Sequence, residues 1–137
     1  MADRFLKFAV VYLMLGMGIG MAMGITHHFE YAPVHAHINL LGWASLALVA
    51  MIYHAYPQAA LTVLARWHYR LHVPGLPIFM VGQFLLLSHH DRLEWLVGTG
   101  AAITFVGLAL FAVNLMRTLA AAQRAGAFSG TAGSARP

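Results

Sequence analysis

Cysteine is absent from the 137 residues. That excludes disulfides, iron–sulfur clusters, thiolate-held metals and covalent heme attachment through C-x-x-C-H. Charge is scarce too. Charged residues make up 9% of the chain, against about 25% in an ordinary soluble domain. Only four are carboxylates. Paired catalytic carboxylates, a nucleophile with its base and a phosphate-binding loop are all missing, so any turnover must rest on other chemistry.

What is abundant is apolar surface and histidine. Hydrophobic residues reach 61% and mean hydropathy is +0.72. A soluble globular domain and a disordered chain are both excluded by that balance. Nine histidines leave imidazole as the one plentiful metal ligand and proton carrier. The net charge of +4 can signal nucleic acid, but in an apolar chain basic residues report membrane topology. Nucleic acid is therefore not an expected partner; membrane lipid is.

Four uncharged runs have the length of a membrane span. The expected spans are about 8–26, 36–56, 70–88 and 95–116. Pro57 marks the end of the second. The third carries Pro74 and Pro77 in its opening turns and draws residues from the Trp67–His72 stretch. Backbone polar groups in lipid must be satisfied internally, so each run is expected to be helical. The first run is longer than a signal peptide's apolar core and no A-x-A site follows it, so it is read as a retained span. Residues 1–125 form one transmembrane domain on this reading, and 126–137 a mobile tail.

Four spans put both termini on one side. That side holds Arg4, Lys7, Arg66, Arg70, Arg117, Arg124 and Arg136, and the other holds only Arg92. The positive-inside rule then makes both termini cytoplasmic. The expected location is a bacterial inner membrane, crossed several times.

His27, His28, His35, His37, His89 and His90 fall at the outer ends, and His54, His68 and His72 at the inner. His35 and His37 open the second span in the run H-A-H-I-N-L-L-G-W, residues 35–43. Helical residues two apart point about 200° apart. They cannot grip one metal together, which needs i, i+3 or i+4 spacing. The helix instead suits a place between two sites. Gly42 permits close approach of a flat ligand or of another helix. Gly16, Gly20 and Gly24 give the first span the same kind of small-residue stripe. Its methionines are soft enough for copper, but packing is their commoner use. His68 and His72 have metal-ligand spacing. Arg66 and Arg70 beside them would repel a cation, which favours an interfacial or hydrogen-bonding role. Gln83 and Asn114 lie inside spans and should face protein rather than lipid.

The stretch His35–Trp43, followed by I-Y-H-A-Y-P at 52–57 and W-H-Y-R-L at 67–71, resembles the tenth transmembrane helix, and the start of the next, of the heme–copper oxidase catalytic subunit, the cbb-type above all. The likeness covers about residues 35–88. The chain is also similar to short bacterial membrane proteins described as cytochrome oxidase subunit I-like. In the oxidases the first histidine of H-x-H binds the high-spin heme and the second the low-spin heme. The resemblance thus implies heme b, with His35 and His37 as axial ligands and Gly42 and Trp43 lining the cofactor. Arg92 matches the outer loop whose arginine meets the propionates. The catalytic subunit is built as three arcs of four helices, so a chain like one arc implies a cyclic homotrimer with heme between subunits.

The chain departs from the family in lacking the further histidine-bearing helices of a copper site and a tyrosine for the histidine–tyrosine crosslink. A complete oxygen-reducing centre is not expected. The implied roles are electron transfer with a redox partner, or binding of a small gas such as oxygen or nitric oxide. Whether the protein is an enzyme of oxidoreductase type stays open. Two other readings remain beside the heme reading. One is a histidine-based copper-handling protein, using His89 and His90 with His27 and His28. The other is an assembly partner of a respiratory complex.

Overall fold

A computed structural model describes the backbone over residues 1–133 and side chains over 1–125. All of the tail expected at 126–137 lies outside the fully described residues. The chain is all-helical, with no strand among the described residues. Four helices are long and apolar enough to cross a membrane. We label them α1 (Ala2–Thr26), α2 (Phe29–Ala55), α3 (Val63–Leu87) and α4 (Trp95–Gly133). A helical turn at Pro57–Ala60 joins α2 to α3, and a 3-10 turn at Asp91–Leu93 joins α3 to α4.

Each helix contains or closely follows an expected span, but α1, α2 and α3 start earlier. The start of α3 has a local cause. Thr62 is its N-cap, and its hydroxyl accepts from the Ala65 amide at 3.0 Å. That removes one orphan donor of the first turn. The early start moves Pro74 and Pro77 from the opening turns, where they were expected, into the middle of the helix. Both are exposed, so the crowding they cause falls on an outer face.

The second span is not one regular α-helix. A 3-10 turn at Phe29–Tyr31 leads into α-helix at Ala32–His37, then π-helix at Ile38–Ala44, then α-helix again at Ser45–Ala55. Side chains help to hold the wide turn. Asn39 Nδ2 donates to the His35 carbonyl at 2.9 Å, and the Ser45 hydroxyl donates to the Leu41 carbonyl at 2.5 Å. Such bonds occupy carbonyls that a π-turn leaves loosely held.

The helices pair as two hairpins, α1 with α2 and α3 with α4. Glycine sets the second pairing. A Cβ built on Gly75 would lie 2.9 Å from the Thr104 amide nitrogen, and one on Gly82 2.7 Å from that of Val97. From the other side, a Cβ on Gly107 would lie 2.9 Å from the His72 nitrogen, and one on Gly100 would strike the Phe79 backbone. The two glycines of each helix are seven residues apart, so each pair lies along one stripe. Their backbones approach as only small residues allow.

The core that joins the hairpins includes Phe5, Tyr12, Val34, Leu46, Val49, Tyr53, Leu76 and Met80. Large apolar side chains elsewhere face outward: Phe105 is 71% exposed, Met116 68% and Met14 64%. A water-soluble surface would not tolerate that pattern along every helix, whereas lipid does.

Candidate functional site: paired imidazoles at one end and a buried histidine string at the other

His35 and His37 leave α2 on different sides, as two-residue spacing requires. His35 packs against α1. Its Nδ1 lies 2.9 Å from the Gly16 carbonyl oxygen. A Cβ on Gly20 would stand 2.8 Å from the His35 ring carbon Cε1. His37 turns toward α3, with its ring edge-on to Phe79 at 4.9 Å. Its Nδ1 lies 2.7 Å from the Pro33 carbonyl oxygen.

A carbonyl can only accept, so both Nδ1 atoms carry the proton. In the neutral ring each Nε2 then presents a lone pair. Neither makes a hydrogen bond among the described residues, and neither is a buried, unpartnered atom. This is the arrangement of an imidazole ligand: one nitrogen tied to a backbone carbonyl, the other free for a metal. Both rings are half-buried, so a ligand can reach them from outside the chain.

The glycine stripe of α1 serves this packing. The space over Gly16 is filled by Asn39 and that over Gly20 by His35, whereas Gly18 and Gly24 face open space. Gly42 has the same use in reverse. A Cβ there would meet the Tyr12 ring at 2.6 Å. Of the two occupants expected above Gly42, a flat ligand or another helix, the chain itself supplies the helix. Trp43 is half-buried and packs on the core.

The loops at the His35 end of the bundle place the remaining candidates near the surface. Arg92 is exposed on the 3-10 turn and makes no ion pair among the described residues. His27 and His89 have a backbone reason for their positions. Both are left-handed, with φ of 59° and 63°. The His27 amide donates to the Met23 carbonyl at 2.9 Å, closing α1. The His90 amide donates to Leu85 and that of His89 to Leu86, at 3.0 and 3.1 Å, which is a Schellman ending for α3. His28 pairs with Glu30 at 2.6 Å on the surface. Among the described residues no group of three or more histidine, aspartate or glutamate side chains comes together to hold a metal.

Known proteins add nothing to this picture. No family model, no curated protein and no solved structure matches the chain.

At the opposite end, of the two roles expected for His68 and His72, interfacial or hydrogen-bonding, the structure shows the second: both are completely buried and hydrogen-bonded. Tyr53 Oη lies 3.0 Å from His68 Nδ1, and His68 Nε2 lies 2.9 Å from His72 Nδ1. Phe5 stacks on the His68 ring at 4.9 Å, and Phe111 covers it at 5.1 Å. Arg66 and Arg70 stand on the exposed side of the same helix, with Arg70 over the Trp67 ring at 5.4 Å. The arginines next in sequence therefore do not share a face with the histidines. A signal was available: Ala65, His68, His72, Gly75, Leu76 and Phe79 fall on one helical stripe, and all are buried. His54 is exposed at this end. Asn114 is 2% exposed, so it faces protein as expected. It donates to the Ala59 carbonyl and accepts from the Thr62 hydroxyl, both at 2.8 Å.

Proposed function

We propose that the protein is a membrane b-type heme protein of the heme–copper oxidase kind, with His35 and His37 as axial imidazoles near one membrane face. The observation that supports this most is the state of the two rings. Each Nδ1–H is spent on a backbone carbonyl, at 2.9 and 2.7 Å, and each Nε2 is left as a lone pair. Heme, when bound, supplies the redox-active iron; the chain supplies ligand, orientation and an apolar surround.

Because the two rings diverge, one chain cannot clamp one iron with both. A heme held between copies of the chain, in a cyclic homotrimer, uses both ligands and needs one heme per chain. Arg92, exposed on the outer turn, is the cation offered to the propionates. Gly42 and Trp43 act at one remove on this reading: Gly42 lets α2 close on Tyr12 and so sets the height of the histidines. The function is electron transfer with a redox partner, or binding of a small gas, in a bacterial inner membrane with both termini cytoplasmic.

An absorption spectrum of the detergent-purified protein, oxidised and then reduced with dithionite, tests this. The expected result is a Soret band with reduced α and β bands and about one heme per chain. His35→Ala and His37→Ala should each remove the spectrum, and His54→Ala should not. A chain without heme after expression with ample heme overturns the proposal. Copper retained through His27, His28, His89 and His90 would instead favour metal handling, and neither metal nor heme would favour an assembly role. A monomer that keeps its full heme in native conditions rules out the trimer.

A further inference from the structure

Tyr12 stands near the middle of α1, about 15 Å along the helix axis from one end and about 21 Å from the other. It is 9% exposed. Its ring packs against Gly42 of α2, a place that phenylalanine would fill as well. Packing does not explain the hydroxyl. Among the described residues it makes no hydrogen bond, although a buried tyrosine O–H usually finds a partner. The oxygen is not sealed in either: the enclosed side-chain atoms without a partner are His72 Nε2 and Gln83 Oε1.

Tyr12 lines a cavity of about 430 Å³ at the seam of the two hairpins. α2 closes it at Val34, and α3 at Val73 and Pro77. Every other side chain in the lining is apolar. The rim, at Phe8 and Phe84, is exposed on the outer surface of the bundle, so the cavity opens sideways into lipid. Pro77 has no N–H, and the Val73 carbonyl one turn before it lacks its ordinary helical donor. The lining thus includes a hydroxyl without an acceptor and a backbone carbonyl without its usual donor.

We propose that this cavity binds a lipid-soluble quinone, with the Tyr12 hydroxyl donating to a ring carbonyl. The depth of Tyr12 selects the ligand class. Water is scarce there, and phospholipid esters lie at the edge of the hydrocarbon layer, about 15 Å from its middle. The missing acceptor must arrive on a molecule whose polar group is free to sink into the bilayer. A quinone brings flat-ring carbonyls on an apolar body, and its reduced form adds hydroxyl donors for the Val73 carbonyl. The size fits as well, since ligand pockets hold about 300–1,000 Å³ and combine apolar walls with a few placed polar groups. None of the lining residues is a heme-ligand candidate, so the site stands or falls apart from the heme reading.

Calorimetric titration of 2-decyl-1,4-benzoquinone into protein in lipid nanodiscs, prepared without heme and corrected for empty nanodiscs, tests the proposal. The expected result is saturable binding of about one quinone per chain. Decylbenzene, which has the ring and tail but no carbonyls, should not compete. Tyr12→Phe keeps the packing on Gly42 and removes one hydrogen bond, so it should weaken binding between about 2- and 13-fold. Val73→Phe fills the cavity and should abolish binding. Uptake no greater than that of empty nanodiscs overturns the proposal, and so does a folded Tyr12→Phe that binds like wild type. Equal competition by decylbenzene also overturns it, and makes the cavity a slot for lipid tails.

Discussion

Gly20→Ala puts the packing of the heme-ligand candidate under a direct test. The added Cβ would stand 2.8 Å from His35 Cε1 and 3.3 Å from His35 Nδ1. Carbon atoms pack at about 3.5–4.0 Å, so the ring must retreat by roughly 1 Å. A retreat of that size from α1 stretches the 2.9 Å bond from His35 Nδ1 to the Gly16 carbonyl past useful length. Overpacking costs about 1–3 kcal/mol and the lost hydrogen bond about 0.5–1.5 kcal/mol. The expected destabilisation is thus about 2–4 kcal/mol, offset in part by the better helix propensity of alanine. Gly18→Ala and Gly24→Ala supply the control on the same helix, because a Cβ at either meets nothing within 4 Å. Equilibrium unfolding in mixed micelles, followed by circular dichroism, reads all three. Gly20→Ala should unfold well before wild type, and Gly18→Ala and Gly24→Ala at or after it. On the heme proposal, Gly20→Ala also lowers the heme bound per chain. Three variants of equal stability would refute the placement of His35 between Gly16 and Gly20.

Two further expectations concern the ends of the bundle. His27→Gly and His89→Gly relieve left-handed backbone that costs a non-glycine residue roughly 1–2 kcal/mol. Both should raise stability in the same titration and leave a heme spectrum intact; loss of the cofactor would give these residues a ligand role after all. Asn114→Ala removes two buried links, to Ala59 and Thr62, each worth about 0.5–1.5 kcal/mol net, while the Thr62 hydroxyl keeps the Ala59 carbonyl as a partner at 3.1 Å. It should destabilise the protein by several times more than His28→Ala, which breaks only a surface pair with Glu30 of the kind worth about 0–1 kcal/mol. Equal effects would show that the connection from α2 to α3 is not tied to α4 as described.

Sequence alone determined the number and rough extent of the helices, because length and apolarity are local quantities and a lipid-embedded backbone has no other regular option. It also determined that His35 and His37 cannot share an iron, since two-residue spacing on a helix separates them by itself. Tertiary structure decided what each ring touches. The carbonyls of Gly16 and Pro33 that hold the two Nδ1 protons become visible only when α1 lies against α2 and the first turns of α2 are in place. The π-turn at Ile38–Ala44 escapes periodicity, because it inserts a residue and turns everything beyond it by about 100°. The burial of His68 and His72 escaped for a related reason. Two neighbouring arginines spoke against a bound cation and left an interfacial or a hydrogen-bonding role open, but neighbours in sequence occupy different faces, and only packing against Phe5, Tyr53 and Phe111 selects the buried one. The glycines of α3 and α4 show the same division: their spacing is written in the chain, but which backbone each admits depends on the helix laid against it.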